Sequence, residues 1–364
     1  MILHLYFAKR FAITFLGVLG VFFMIMLFLD LVEQLRRFSR VDASFSDVLT
    51  LTLLNVPQGI YKILPLIMIL ATIALFLGLA RSSEMVVTRA AGRSALRALI
   101  SPLLVALTIG ILSVAILNPI VAATSRQFEE RGDTLRGESS VLSLGASGLW
   151  LRQGNEDGQT VIRAGSANLN GTVLRNVTFI TFEGDIGPTR RIEVALATLD
   201  DGAWITQNAK SWPLGGGINS EALATTHPSL KIPSTLTASQ IRDSFGTLSS
   251  IPIWDLPAFI NQLQTAGFSA QRHQVWFQME LALPLFLVAM VMIGASFTLR
   301  HQRGGRTGMM VLFAILLSFA VYFIRNFAQV LGENGQLPAL LAAWAPPLAA
   351  IGLSLGMLLH QEDG

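Results

Sequence analysis

Three short stretches set charged residues beside apolar runs, and each has a spacing that could do chemistry. The first is FLDLVEQLRRFSR, Phe28 to Arg40. Wound as a helix, it sets Asp30, Glu33, Gln34, Arg36, Arg37 and Arg40 on one side and Leu31, Val32, Leu35 and Phe38 on the other. A guanidinium fork matches the oxygens of a phosphate, so Arg36, Arg37 and Arg40, with Glu33 beside them, form a candidate site for an anionic lipid headgroup. The other reading is a Glu33–Arg37 pair on a solvated helix end, worth about 0.3–0.5 kcal/mol. The second stretch is ARSSEMVVTRAAGRSAL, Ala80 to Leu96. Its helix has Val86, Val87, Ala90 and Ala91 on one face and Glu84, Thr88 and Arg89 on the other. Ser82 or Ser83 is placed to cap it, Glu84 to complement its dipole and Gly92 to stop it. Two readings fit: a helix lying on lipid headgroups, or a coupling helix inserted into a partner. In the second, Glu84 is a charged anchor, Met85, Val86 and Val87 are the apolar plug, and Arg89 lies beside them. The third stretch is Arg325-Asn326, with Gln329 and Glu333 continuing the stripe at i+4 and i+8. A charge inside hydrocarbon costs about 2.5–3.5 kcal/mol. Arg325 therefore needs a cavity, a partner, a headgroup, or an ion pair with Asp30 or Glu33.

Other chemistries lack their residues. The four lysines, Lys9, Lys62, Lys210 and Lys231, never follow a glycine, so no Walker A loop exists to wrap phosphate. The five histidines are scattered and form no H-E-x-x-H, and Gly145-Ala-Ser-Gly148 is not a nucleophile elbow. Zero cysteines excludes disulfides and thiolates. The chain is expected to be a non-catalytic membrane subunit without metal or cofactor, with any ATP hydrolysis in a separate ATPase.

The elements that must position the three stretches follow from composition. Hydrophobic residues make up 52% of the 364 and charged residues 13%. That is too apolar for an ordinary soluble domain. Six runs approach or exceed the ~18 uncharged residues a bilayer crossing needs: Phe11–Leu29, Ile63–Ala80, Ala98–Ser125, Leu281–Leu299, Thr307–Ile324 and Leu337–Leu359. The first has no small-residue cleavage site after it and reads as a retained anchor. Net charge is +3, and the basic residues mark orientation rather than nucleic-acid binding. Lys9 and Arg10 precede span one, Arg81, Arg89, Arg93 and Arg97 lie between spans two and three, and Arg300, Arg303 and Arg306 between spans four and five. The positive-inside rule makes these loops and both termini cytoplasmic and the insert after span three external. Lys62, near the outer start of span two, snorkels to the interface.

The insert changes period. GLWLRQ, QTVIRAG, TVLRNVTFITFE, RIEVALATL and GAWITQNAKSW read as strands separated by Gly-, Asn- and Asp-rich turns. In RIEVALATL, Ile192, Val194 and Leu196 are expected inside, and Glu193, Ala195 and Ala197 outside. From Trp254 the helical period returns, with Asp255 to cap and Gly267 to end a linking helix over about 254–266. The expected organisation is residues 1–125 with spans one to three and a coupling helix over about 82–92, an all-β, jelly-roll-like external domain over 126–272, and spans four to six over 273–364.

Three motifs carry a family resemblance that covers essentially the whole chain. SEMVVTRAAG (Ser83–Gly92) resembles the cytoplasmic S-E-L-V-V-M-x-A-S-G motif of the LptF/LptG lipopolysaccharide-export permeases. LVEQLRR (Leu31–Arg37) resembles their V-D-Q-L-K-K segment after the first span, with arginines for lysines, and GLWLRQGN (Gly148–Asn155) resembles the G-L-W-x-x-x-G strand that opens the periplasmic domain. The last two favour the LptG side of the family. Trp276 stands eight residues before Pro284, where members often have Trp six ahead, so no role carries over to it. The resemblance implies a bacterial inner-membrane ABC permease subunit that extracts lipopolysaccharide from the outer leaflet and passes it to a periplasmic bridge. It also implies an LptF-like second permease, two copies of an LptB-like ATPase and an LptC-like bridge protein. Glu84 would lie in the helix gripping the ATPase, and Arg36 and Arg37 at positions facing the lipid. The competing assignment is a permease-like subunit of another ABC system, for lipoprotein release or mechanotransmission.

Overall fold

The computed structural model describes residues 2–39, 43–82, 84, 94–136, 142–145, 148–155, 158–168, 172–182, 187–200, 202–214, 220–234, 236, 241, 248–265, 269–299 and 307–363. The chain divides into two compact units. One joins Met1–Leu135, Ser249–Trp254 and Gln271–Gly364; the other joins Arg136–Leu248 and Asp255–Ala270.

The first unit is a bundle of long helices: α1 (Ile2–Arg37), α2 (Phe45–Arg81), α3 (Ala95–Leu112) continuing through a π-helical turn (Ser113–Leu117) into α4 (Asn118–Arg136), α6 (Gln271–Thr298), α7 (Thr307–Glu333) and α8 (Ala339–Asp363); α5 (Leu256–Thr265) belongs to the second unit. Among the described residues six helices are long and apolar enough to cross a membrane, with α3, the π turn and α4 forming one of them. The helices outrun the apolar stretches because their ends are stabilised locally. α2 starts at a capping box in which the Ser44 hydroxyl accepts from the Asp47 N–H (3.3 Å) and the Asp47 carboxylate accepts from the Ser44 N–H (3.1 Å). α4 runs to Arg136, eleven residues past the expected end of span three at Ser125, as a helix whose Thr134 hydroxyl bonds back to the Glu130 carbonyl.

Helix α6 is the hub. The most apolar window of α6 is 72% buried, against 6% for α1 and 17% for α7, so α1 and α7 present most of their apolar surface outward. Glycines let neighbours reach α6. A Cβ on Gly110 of α3 would stand 2.5 Å from the Pro284 Cα, and one on Gly294 of α6 would stand 2.9 Å from the Thr72 side chain of α2. Small residues at such crossings supply the close packing that holds helices together in lipid, where no hydrophobic effect separates helix from solvent.

Among its described residues the second unit is built mainly of β strands, with the helix α5. Seven strands, β1 (Leu142–Gly145), β2 (Gly148–Asn155), β3 (Gly158–Ala167), β4 (Val173–Phe182), β5 (Pro188–Asp200), β6 (Ala203–Pro213) and β7 (Thr225–Pro233), pair antiparallel in chain order. The tight turn between β5 and β6 uses Gly202 at φ +70°, a conformation glycine adopts freely. A line of irregularity crosses the sheet. Register pairing is interrupted at Gly165/Asn176, Asn176/Ala195, Ala195/Asn208 and Asn208/Pro228, and Asn176 and Asn208 have φ of 52° and 54°. At this line each of β3 to β6 changes which alternate residues are buried: Ile162 and Ala164 give way to Ala167, Leu174 to Val177 and Phe179, Ile192 and Val194 to Ala197, Trp204 and Thr206 to Ala209 and Ser211. The expectation for RIEVALATL is corrected on this point. Ala197 is fully buried and Leu196 only half-buried, because the alternation breaks at Ala195, where pairing to both β4 and β6 is interrupted. In α5 the Phe259 N–H bonds the Asp255 carbonyl, which puts Asp255 at the expected cap position; Gly267 lies outside the described residues.

Gly110→Ala should force α3 away from Pro284 and lower bundle stability by about 1–3 kcal/mol, the usual cost of overpacking. Thermal unfolding in detergent checks it, with Gly352→Ala, where a Cβ meets nothing within 4 Å, as the neutral control.

Candidate functional site

Two polar assemblies and one charged helix end stand out in the bundle. The first is built on Glu84, whose two carboxylate oxygens are both engaged within the chain. Oε1 accepts from Arg10 Nη1 at 2.5 Å and from the Ser82 hydroxyl at 2.7 Å; Oε2 accepts from the Tyr6 hydroxyl at 2.8 Å. Arg10 also donates to the Tyr6 hydroxyl, one turn away on α1, and its guanidinium lies 5.7 Å from the Tyr6 ring centroid. Partial burial acts to raise the Glu84 pKa, but the hydrogen bonds from Arg10, Ser82 and Tyr6 outweigh it and hold the carboxyl below its ordinary 4.5. The interaction is thus present at neutral pH and lost only as pH falls through that depressed value. Met85, Val86, Val87 and Arg89, the remaining expected coupling residues, lie outside the described residues.

The opposite end of α1 carries the expected headgroup residues. Arg36 and Arg37 are exposed in its last turn, where their charge also complements the helix dipole. Glu33 pairs with Arg36 at 2.9 Å, an i,i+3 contact, in place of the expected Arg37. The polar side is also divided differently from expectation. Gln34 is buried, and Asp30 accepts from Asn55 of α2 at 2.6 Å and from Gln34 at 3.3 Å, whereas the apolar Val32 and Leu35 are exposed. A helix in lipid turns its apolar face outward and its polar groups toward protein, the reverse of a helix in water. Arg40 lies outside the described residues.

The second assembly lies within the bundle and was not apparent from sequence. Glu280 of α6, 3% exposed, accepts a short hydrogen bond from the Tyr61 hydroxyl of α2 and lies against the Asn118 side chain. Arg325 of α7 is half-buried, with its guanidinium 4.9 Å from the centroid of the Phe286 ring and in electrostatic reach of Glu280 and Tyr61. Among the described residues no ion pair joins it to Asp30 or Glu33: Glu33 pairs with Arg36, and Asp30 accepts from Asn55 and Gln34. Next to Tyr61, the exposed Lys62 offers its carbonyl to the Tyr322 hydroxyl of α7 at 3.2 Å.

Asn118 joins this cluster to a short strap, Ser249–Trp254, whose two ends continue into the β unit. Asn118 Oδ1 accepts from the Ile253 N–H at 2.9 Å, and the Ala115 carbonyl, which meets no N–H at Pro119 four residues on, accepts from the Trp254 indole at 3.3 Å. Gln58 donates to the Ser249 hydroxyl at 2.5 Å and Arg126 to the Ser250 carbonyl at 3.4 Å. The sequence signal for Glu280 was available: an acid four residues before Pro284 with apolar residues on either side, MELALP. Starting span four at Leu281 hid it. Among the described residues no group of three His, Cys, Asp or Glu is placed to hold a metal ion. What these arrangements offer is exposed guanidinium groups at one end of α1, a tied carboxylate at the other, and a buried polar cluster between helices.

A family profile described as the lipopolysaccharide export system permease LptF/LptG matches residues 5–360. The lipopolysaccharide export system permease protein LptG of Haemophilus influenzae is 23% identical over 343 residues, which covers 91% of this chain and 91% of the relative. The protein of the same name from Escherichia coli K12 is 23% identical over 346 residues, covering 91% and 90%.

Tyr61→Phe removes the hydroxyl donor and leaves the buried Glu280 carboxylate short of a partner, which should cost about 1–3 kcal/mol. Thermal unfolding measures that loss, and the companion change Glu280→Gln, which keeps an acceptor oxygen facing Tyr61, should cost less.

Proposed function

The chain belongs to the LptF/LptG family of lipopolysaccharide export permeases, and from that premise we propose how this subunit works. It is a multi-pass protein of the inner membrane. Its exporter draws lipopolysaccharide out of the outer leaflet and hands it to a periplasmic bridge. An LptF-like permease completes the transmembrane part, two copies of an LptB-like ATPase supply the energy, and an LptC-like protein receives the lipid. The lysine and arginine distribution supports cytoplasmic termini and a periplasmic β unit.

The observation that carries the mechanism is the arrangement of α1. At one end it is bound to Glu84, at the start of the segment 82–92 that would meet the ATPase; at the other it presents Arg36 and Arg37. Thirty-six residues make a helix roughly 54 Å long at 1.5 Å per residue, longer than the ~30 Å hydrocarbon core. One rigid element thus reaches from the cytoplasmic surface to the periplasmic one. A lipid with phosphorylated sugars and several acyl chains needs apolar walls and basic groups at the leaflet surface. The exposed faces of α1 and α7 supply the walls, and Arg36, Arg37 and Arg325 supply cationic groups, with Glu33 holding Arg36 in place.

Arg36→Glu with Arg37→Glu should lower ATP-dependent release of lipopolysaccharide from proteoliposomes by at least about tenfold, the scale of a single lost charge-assisted contact. The complex should still assemble, as judged by co-purification of an ATPase and a second six-span chain in mild detergent. Normal release by this variant would remove the headgroup role, and absence of both partners from the purified complex would remove the exporter assignment.

A further inference from the structure

We propose that the crease of the β unit is a binding site for an uncharged saccharide, with Asn176 and Asn208 at one end of the site and Trp212 at the other. Strand register sets the layout. Asn176, Ala195 and Asn208 lie abreast on β4, β5 and β6, where pairing is interrupted. Thr178, Glu193 and Lys210 form the next paired row, and Trp212 stands two residues beyond Lys210 on the same face of β6. Together these residues line an open groove of about 400 Å³, within the range of about 300–1,000 Å³ usual for small-ligand sites. Ala195, between the two asparagines, adds only a methyl group to its floor.

The residue types point to a ligand. Among the described residues Asn176 and Asn208 are the two non-glycine residues at positive φ, and both line this groove. Asparagine tolerates the left-handed region, but glycine enters it more freely. The chain uses glycine for it elsewhere, at Gly187, Gly202 and Gly335. What asparagine keeps and glycine lacks is a carboxamide, with two donor hydrogens beside an acceptor oxygen. Backbone held in a sparsely populated region is found where a side chain is needed for function. Both asparagines are exposed, so their amides are open to a ligand. Thr178 adds a hydroxyl and Glu193 a carboxylate. Neighbouring hydroxyls on a sugar ring call for donors and acceptors set side by side in this way, and the C–H face of the ring calls for an aromatic surface. Trp212 supplies that surface and is held firmly: its indole N–H donates to Glu221 at 2.7 Å, and Arg191 and Lys210 lie 5.6 and 5.0 Å from its ring centroid. The charges around the groove do not select an anion, because Arg191 pairs with Glu193 and Lys210 with Glu221.

The test is calorimetric titration of the full-length protein in a detergent without a sugar headgroup. Two uncharged probes are used: a dephosphorylated hexose oligosaccharide cut from the head of lipopolysaccharide, and a short chain of N-acetylglucosamine. At least one should bind, at one site per chain. Asn176→Gly and Asn208→Gly should each weaken that binding roughly fivefold, the scale of one neutral hydrogen bond. Glycine adopts φ of 52° and 54° freely, so neither change should disturb folding. Trp212→Ala should weaken binding roughly tenfold, and the two glycine variants carry the test if it does not fold. Binding of the hexose oligosaccharide alone makes the exported lipid the source of the sugar; binding of the N-acetylglucosamine chain alone makes it a cell-wall glycan. Either result supports the site, and only the first would join it to the export reading, so the two stand or fall separately. Absence of binding by both probes, or wild-type affinity in both glycine variants, would overturn the inference and leave the asparagines as residues chosen for their backbone alone.

Discussion

Hydrocarbon offers no hydrogen bonds, and that constraint organises this bundle more than any other. A polar group placed between the helices must find its partner in the chain. The serines and threonines at positions 52, 72, 108, 113, 296, 298, 318 and 354 do so by returning their hydroxyls to the carbonyl four residues back. Glu280, Tyr61 and Asn118 do so across three helices. Pro119 belongs to the same accounting, since the Ala115 carbonyl that it leaves without an N–H is taken up by the Trp254 indole. Each polar group that crosses between helices therefore works as a tie, and the set of ties decides which helices move together.

Two parts of the fold fall on opposite sides of that accounting. Helices α2, α3, α6 and α8 are joined through buried side chains and close glycine contacts. Helix α1 is joined at its base by aromatic packing and the Glu84 contact, and near its tip by Asp30–Asn55 and Phe38, with only half-buried surface between. The strap Ser249–Trp254 is bound to α2, the π turn and α4 although the chain on both sides of it belongs to the β unit.

The large features were legible because they are written in one-dimensional quantities. Apolar run length located the six spans, alternation and turn residues located five of the seven described strands and left out β1 and β7, and Ser44 with Asp47 carries a readable cap signal. What escaped was written in separations the sequence does not display. Tyr61 and Glu280 are 219 residues apart, and Arg10 and Glu84 are 74 apart. Neither pairing follows from local pattern, because distant partners are chosen by how helices cross. The face of α1 near Asp30 was assigned as if water surrounded it, and lipid inverts that rule. The burial of Ala197 escaped for another reason: alternation is a local rule, and the break in it is shared by four strands.

That shared break constrains how this domain can drift. Gly165, Asn176, Ala195, Asn208 and Pro228 stand abreast on five successive strands. A one-residue insertion between the crease and either end of a single strand would set that strand out of step with both neighbours and turn its apolar residues to the wrong side. Length variation among descendants should therefore collect in the turns and spare the strands, keeping the crease in place while the residues around it diverge.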